Sequence, residues 1–282
     1  MHSAALPLIQ LILTNLKFIM FALAHALLPR PGERTLVQRM PCKQSPKLSS
    51  GTNTMDYAID FPPVTTLPVS GSDKPFPVGR IYCVGRNYAE HAREMGHDPD
   101  REPPFFFMKP ADAIAANHTT IPYPQLTQDL HHEIEMIVAI GRGGANIPVE
   151  QALDHVFGYG VGLDMTRRDI QGVAKKMGRP WEMGKAFDNS APCTGITPVT
   201  QIGHPDKGAV WLKINGELKQ KGDLADLIWN VPETISYLSN MITLRPGDLI
   251  MSGTPAGVGP VQRGDKLIGH VDGLEELVIT YI

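Results

Sequence analysis

Cysteine is scarce in this chain of 282 residues. Cys42, Cys83 and Cys193 are the only three, and their spacing suits neither a disulfide framework nor a sulfur-ligated metal site. That is the usage of a reduced compartment, so a cytoplasmic protein is expected. Basic residues are not in excess either. Twenty-six Lys and Arg stand against 29 Asp and Glu, a formal net charge of -3, which gives no electrostatic footprint for nucleic acid. Internal repeats and low-complexity tracts are missing from the body of the chain. A single extended apolar stretch occurs, residues 8–28, and as a membrane span it is interrupted by Gln10, Thr14, Asn15, Lys17 and His25. As a secretory leader it offers Ala24-His25-Ala26 but no Lys or Arg ahead of its apolar part.

Residues 30–54 are basic, polar and rich in turn formers, a composition that favours disorder. We therefore expect residues 1–54 to be an extension foreign to the fold, with the working protein starting at Met55. Residues 55–76 are expected as an arm and residues 77–282 as the catalytic domain, with no membrane role. The apolar fraction of 42% is enough for a core at this length, and 27 Gly with 25 Pro favour many turns and short strands.

Short apolar runs predict strands at Arg80–Val84, Pro104–Lys109, Glu133–Ile140, Tyr159–Asp164, Leu249–Ser252, Asp265–Ile268 and Glu276–Tyr281. A hairpin is predicted within Val210–Val231, turning at Asn215-Gly216. Helices are expected at Tyr88–Met95, Val149–Asp154, Thr166–Met177 and Pro232–Met241. This is an α+β pattern dominated by β structure.

In a strand alternate side chains share a face, so Glu133 and Glu135 project together while Ile134, Met136, Val138 and Ile140 line the opposite face. Two adjacent like charges repel, and burial makes that worse. Either the pair is solvated or a cation holds it. Ile137 and Ala139 continue the acidic face with apolar residues, which favours a covered site and an oxygen-liganded dication. A third acid, Asp164, ends a Gly-punctuated apolar run and could either join the pair or cap the helix that follows. If the helix begins at Asp164, then Arg168 and Gln171 share its face. Lys185 lies among apolar and small residues, either snorkelling or serving as counter-charge to the acids. His91 and Glu94 are spaced for a carboxylate to orient an imidazole, a general-base arrangement, or are an ordinary surface pair.

Together these segments resemble the fumarylacetoacetate hydrolase family. The resemblance rests on Gly85-Arg86-Asn87-Tyr88 with His91 and Glu94, Phe107-Met108-Lys109-Pro110, His132-Glu133-x-Glu135, and Leu163-Asp164-Met165-Thr166 with Arg168-Asp169-x-Gln171. Gly184-Lys185-x-Phe187-Asp188, Asn215-Gly216-Glu217 and Ser252-Gly253-Thr254-Pro255 follow in family order. It implies a mixed β-sandwich roll with flanking helices, assembled as a homodimer. It also implies Mg²⁺ or Mn²⁺ on Glu133, Glu135 and Asp164, with His91, oriented by Glu94, taking a proton from the attacking water. Lys185 and Gln171 would stabilise an oxyanion, and Arg86, Lys109, Arg168 and Thr254 would bind substrate.

Within the family, Arg101-Glu102-Pro103-Pro104-Phe105-Phe106-Phe107 and Met177-Gly178-Arg179-Pro180-Trp181-Glu182 are most similar to members that hydrolyse fumarylpyruvate. A 2,4-diketo acid cleaved to fumarate and pyruvate is the substrate so implied. Its far carboxylate would meet Lys175, Lys176 or Arg179. Oxaloacetate decarboxylation, an isomerase/decarboxylase activity and a non-catalytic metal-binding role are the alternatives.

Overall fold

Runs of four to eight apolar residues broken by Gly and Pro favour strands over helices, and the computed structural model of the chain is built that way. It describes residues 58–60, 62–90 and 102–282. The chain divides after Asp60, and every element named below belongs to the unit Phe61–Ile282.

In chain order the strands are β1 (Thr66–Val69), β2 (Ser72–Pro77), β3 (Arg80–Gly85), β4 (Phe105–Pro110), β5 (Ile114–Ala116) and β6 (Thr119–Ile121). Next come β7 (Leu130–His132), β8 (Ile134–Ile140), β9 (Val156–Leu163), β10 (Thr166–Arg167), β11 (Ala191–Cys193) and β12 (Thr197–Pro198). The last six are β13 (Ala209–Ile214), β14 (Glu217–Asp223), β15 (Leu249–Met251), β16 (Gly259–Val261), β17 (Lys266–Val271) and β18 (Leu277–Tyr281).

The largest sheet runs β4-β3-β15-β8-β9-β11-β5, with β12 added beside β9, and a second runs β14-β13-β17-β18-β6. Both are mixed, because β3 and β15 run parallel, as do β5 with β11 and β6 with β18. A small third sheet, β10-β7-β16, stands beside the acidic segment.

Strand β8 is buried along its whole length. Its face of Ile134, Met136, Val138 and Ile140 belongs to one core with Leu212, Leu267 and Ile279 of the second sheet. The other face, Ile137 and Ala139, packs in a separate core with Ile81, Cys83, Met251 and Leu67 and Phe76 of the β1–β2 hairpin. Each fully buried aliphatic side chain contributes about 1.5–3 kcal/mol. An unpaired buried ion costs several kcal/mol. The core therefore tolerates the acids at the head of β8 only if cations meet them.

This is the β-dominated α+β organisation expected, with three local departures. The helix expected from Thr166 begins at Arg168, because Thr166 and Arg167 pair with β7 as β10. Asp164 therefore sits in extended chain ahead of the helix, neither its cap nor on its face. The hairpin does turn at Asn215-Gly216, both at positive φ (51° and 86°). It stops at Asp223, however, where Asp223 and Asp226 form a capping box for a 3-10 turn. Residues 55–76, expected as an arm, contain β1 and all of β2 but its last residue, Pro77. The helix expected at Tyr88–Met95 lies outside the described residues beyond Glu90.

Candidate metal centre and active site

β8 and β9 are antiparallel neighbours with Glu135 opposite Gly162 and Ile134 opposite Leu163. Asp164, the residue after β9, donates its N–H to the carbonyl of Glu133 at 2.9 Å. That register brings the three acids together. Glu133, Glu135 and Asp164 each offer an oxygen, all within 4.8 Å of one another, and all three residues are buried.

Cations meet them from two sides. The Lys185 ammonium donates to Glu133 Oε2 and Asp164 Oδ2, each at 2.7 Å. Burial works against its charge, but Asp164 and Glu133 outweigh that and hold it above its ordinary value. Arg168 donates from Nη2 to Glu133 Oε1 at 2.5 Å and from Nη1 to Gln171 Oε1 at 2.7 Å. Its Nε donates to His131 Nδ1 at 3.4 Å, while the other ring nitrogen of His131 lies 2.8 Å from Asp129. Lys109 is fully buried behind Asp164, 2.8 Å from Oδ1. Its hydrogens go to the carbonyls of Met165 and Lys185.

Two features test whether this donor set suits a dication. Asp164 Oδ1 is buried with no hydrogen bond, because the Lys109 contact is an ion pair without hydrogen-bond alignment. Burial, with Asp164 and Glu133 adding repulsion, pushes the Glu135 carboxyl well above the carboxylate range. A carboxyl so placed ionises readily only beside another cation. Three converging oxygens, with no sulfur or imidazole joining them among the described residues, fit Mg²⁺ or Mn²⁺.

Above the acids opens a cleft walled by Phe105, Phe107 and Trp181 and lined by Arg86, Arg168, Gln171, Lys175, Lys185 and Thr254. Arg86 takes a positive φ of 58°, which costs a non-glycine residue about 1–2 kcal/mol. Its neighbour Asn87 holds the turn, donating to the carbonyls of Trp229 (2.8 Å) and Ser252 (2.7 Å) and accepting from Trp229 N–H. The Ser252–Thr254 loop is tied to the acids by Gly253, whose N–H donates to Glu135 Oε2 at 2.7 Å. Gly253 has φ 100°, and a Cβ there would lie 2.6 Å from that of Asn87, so only glycine fits.

Of the residues expected at the site, Glu133, Glu135, Asp164, Lys185, Arg168, Gln171, Arg86 and Thr254 all line this one cleft. Lys109, expected against substrate, is instead placed behind Asp164, where it reaches carbonyls and the acid rather than the opening. Of the three cations considered for a far carboxylate, Lys175 lines the cleft, whereas Lys176 and Arg179 are exposed and are not among its walls. Burial, with Arg86 and Arg168 adding like charge, draws the Lys175 ammonium below its ordinary value. His91 and Glu94 lie outside the described residues. Sequence reasoning missed Gln220 and His131, and the aromatic walls drew attention only as part of a motif. An inward-facing Gln opposite Leu212 in the second hairpin strand was the available signal for Gln220.

Residues 80–280 match the model of the fumarylacetoacetate (FAA) hydrolase C-terminal family. The fumarylpyruvate hydrolase from Pseudomonas aeruginosa, solved with Mn²⁺ and pyruvate, is 54% identical with a TM-score of 0.79, covering 80% of this chain and 99% of that one. The mitochondrial oxaloacetate tautomerase of Homo sapiens is 45% identical over 194 residues, 69% of this chain and 87% of that protein. Its counterpart in Arabidopsis thaliana is 43% identical over 198 residues, 70% and 88%. With the family model spanning most of its length, the chain belongs to the fumarylacetoacetate hydrolase family.

Proposed function

We propose that the chain is a divalent-cation-dependent hydrolase that cleaves the C–C bond of a 2,4-diketo acid, with fumarylpyruvate giving fumarate and pyruvate. The observation that carries this is the charge layout of the cleft. With Glu135 ionised, as a bound cation requires, the three acids Glu133, Glu135 and Asp164 are matched among the described residues by three cations, Lys109, Lys185 and Arg168. A dication would add two positive charges and Arg86 and Lys175 two more, a cationic cleft that suits a substrate with two carboxylates. Arg86 and Lys175, which form no ion pair among the described residues, line the same cleft as partners for the far carboxylate.

When bound on Glu133, Glu135 and Asp164, the cation supplies Lewis acidity for charge developing at the pyruvate end. The remaining work falls to the chain. Lys185 presents an ammonium at the cleft, and Gln171, whose carbonyl oxygen is taken by Arg168, keeps its amide N–H groups for an oxyanion. One such donor is worth about 10²–10³ in kcat. Phe105, Phe107 and Trp181 keep water from the apolar middle of the substrate. His91 is assigned to activate the attacking water, the role expected of it from the sequence.

The identity to the human oxaloacetate tautomerase favours a second reading, keto–enol conversion of oxaloacetate, beside the decarboxylation that the sequence leaves as an alternative. Neither needs an attacking water. Fumarylpyruvate, maleylpyruvate, acetylpyruvate and oxaloacetate, assayed with Mg²⁺ for loss of diketo absorbance and release of pyruvate, separate the two. We expect the highest kcat/KM on fumarylpyruvate, abolished in His91→Ala. Turnover of oxaloacetate alone, surviving His91→Ala, would overturn the hydrolase reading.

A further inference from the structure

Gln220 lies on β14, outside every motif of the active site, yet it is 1% exposed and uses its whole amide. Its Oε1 accepts from Ile134 N–H at 3.1 Å and lies 2.8 Å from His132 Nδ1. Its Nε2 lies 2.8 Å from Thr254 Oγ1 and 2.8 Å from the carbonyl of Pro255. The amide can face only one way. Ile134 N–H can only donate and the Pro255 carbonyl can only accept, so reversing the amide would set donor against donor and acceptor against acceptor.

The hydrogens then follow one by one. One hydrogen of Nε2 goes to Pro255 and the other to Thr254 Oγ1. Thr254 Oγ1 is therefore an acceptor toward Gln220, and its own hydrogen must go elsewhere. Thr254 lines the cleft, and among the described residues its hydroxyl donates to no protein acceptor. Gln220 also joins two parts that must agree in position. Ile134 lies between Glu133 and Glu135, and Thr254 follows Gly253, which donates to Glu135.

We propose that Gln220 is a positioning residue that fixes the Thr254 hydroxyl as a hydrogen-bond donor toward the cleft, for an oxygen of a chelating acid anion held at the acidic triad. The inference rests on the cleft being an acid-anion site, as proposed above, and adds what orients one of its donors. A Gln at this position is thus required for polarity, and shape alone does not replace it.

Oxalate is a suitable probe, because it presents the two oxygens of an α-keto acid and undergoes no turnover. Its binding to the Mn²⁺-loaded full chain is measured by calorimetry for wild type, Gln220→Met, Thr254→Val and the double variant. Each single change should weaken oxalate binding about tenfold or more, as for a lost hydrogen bond to a charged group. The double variant should be no weaker than Thr254→Val, and Thr254→Ser should bind as wild type does. Should Gln220→Met fail to fold, Gln220→Glu preserves the volume and the acceptor for Ile134, and the same cycle is run with it. A loss that multiplies with that of Thr254→Val, or an unchanged affinity in the Gln220 variant, overturns the assignment while leaving the site reading intact. Failure of the wild type itself to bind oxalate brings down the site reading, and this assignment with it.

Discussion

Lys109 Nζ stands 2.8 Å from Asp164 Oδ1, and neither side chain reaches solvent. The pair sits beneath the cleft, with Lys109 also holding the backbone carbonyls of Met165 and Lys185. One buried ammonium thus fixes an acid of the triad and the chain position of the lysine that faces it. The charge on Lys109 serves the floor of the site and makes no direct contact with the opening.

Removing that charge tests the relationship. Lys109→Met should destabilise the metal-free protein by about 3–5 kcal/mol, the usual loss when one member of a buried ion pair is taken away. Saturating Mn²⁺ should restore much of it, because the dication then compensates Asp164. Thermal unfolding with and without Mn²⁺ checks this, and an equal loss in both states would contradict it.

A second expectation concerns the far end of the substrate. Arg86→Ala and Lys175→Ala should each raise KM for fumarylpyruvate about tenfold or more, the worth of a charge-assisted hydrogen bond, with little change for acetylpyruvate, which has no second carboxylate. Steady-state kinetics on the two substrates decide it. An equal rise for both would place these cations at the near carboxylate instead.

The pH dependence follows from Glu135. Its carboxyl is raised above the ordinary value in the folded protein, by burial first and then by Asp164 and Glu133. Protonation therefore favours the metal-free fold. That contribution is whole below the ordinary carboxylate value and is lost as pH rises through the raised one. Metal-free protein should thus lose this share of its stability as pH rises above the ordinary carboxylate value and through the raised one, while Mn²⁺ affinity rises over the same range and binding releases a proton. Calorimetry in buffers of different ionisation enthalpy measures the release, and none at any pH in that range would contradict the shift.

Much of this site is legible in the sequence because strands impose a simple period. Alternation alone puts Glu133 and Glu135 on one face and Ile134, Met136, Val138 and Ile140 on the other. Asp164 is announced by the Gly-rich apolar run that it ends. What periodicity cannot supply is the partner of each charge. Lys109 and Asp164 are 55 positions apart, on β4 and just after β9 of one sheet, and only the fold makes one a counter-ion of the other. The short strands β7, β10 and β16 escape prediction for the same reason, since two or three residues carry no period and exist only because neighbours pair with them. Thr166 and Arg167 show the cost: β10 delays the helix to Arg168 and removes Asp164 from its face. Gln220 is hidden differently, as one polar residue in a hairpin strand whose importance depends on Ile134 and Thr254, remote in sequence.

The central claim is that Glu133, Glu135 and Asp164 jointly hold one divalent cation. Titrating metal-free full-length protein with Mn²⁺, followed by electron paramagnetic resonance of the free ion, tests it without reference to any substrate. One ion per chain should bind to wild type. Glu135→Gln and Asp164→Asn should each lose more affinity than the roughly 10–100-fold that a mere supporting partner costs. Binding of equal strength in all three proteins would contradict the account.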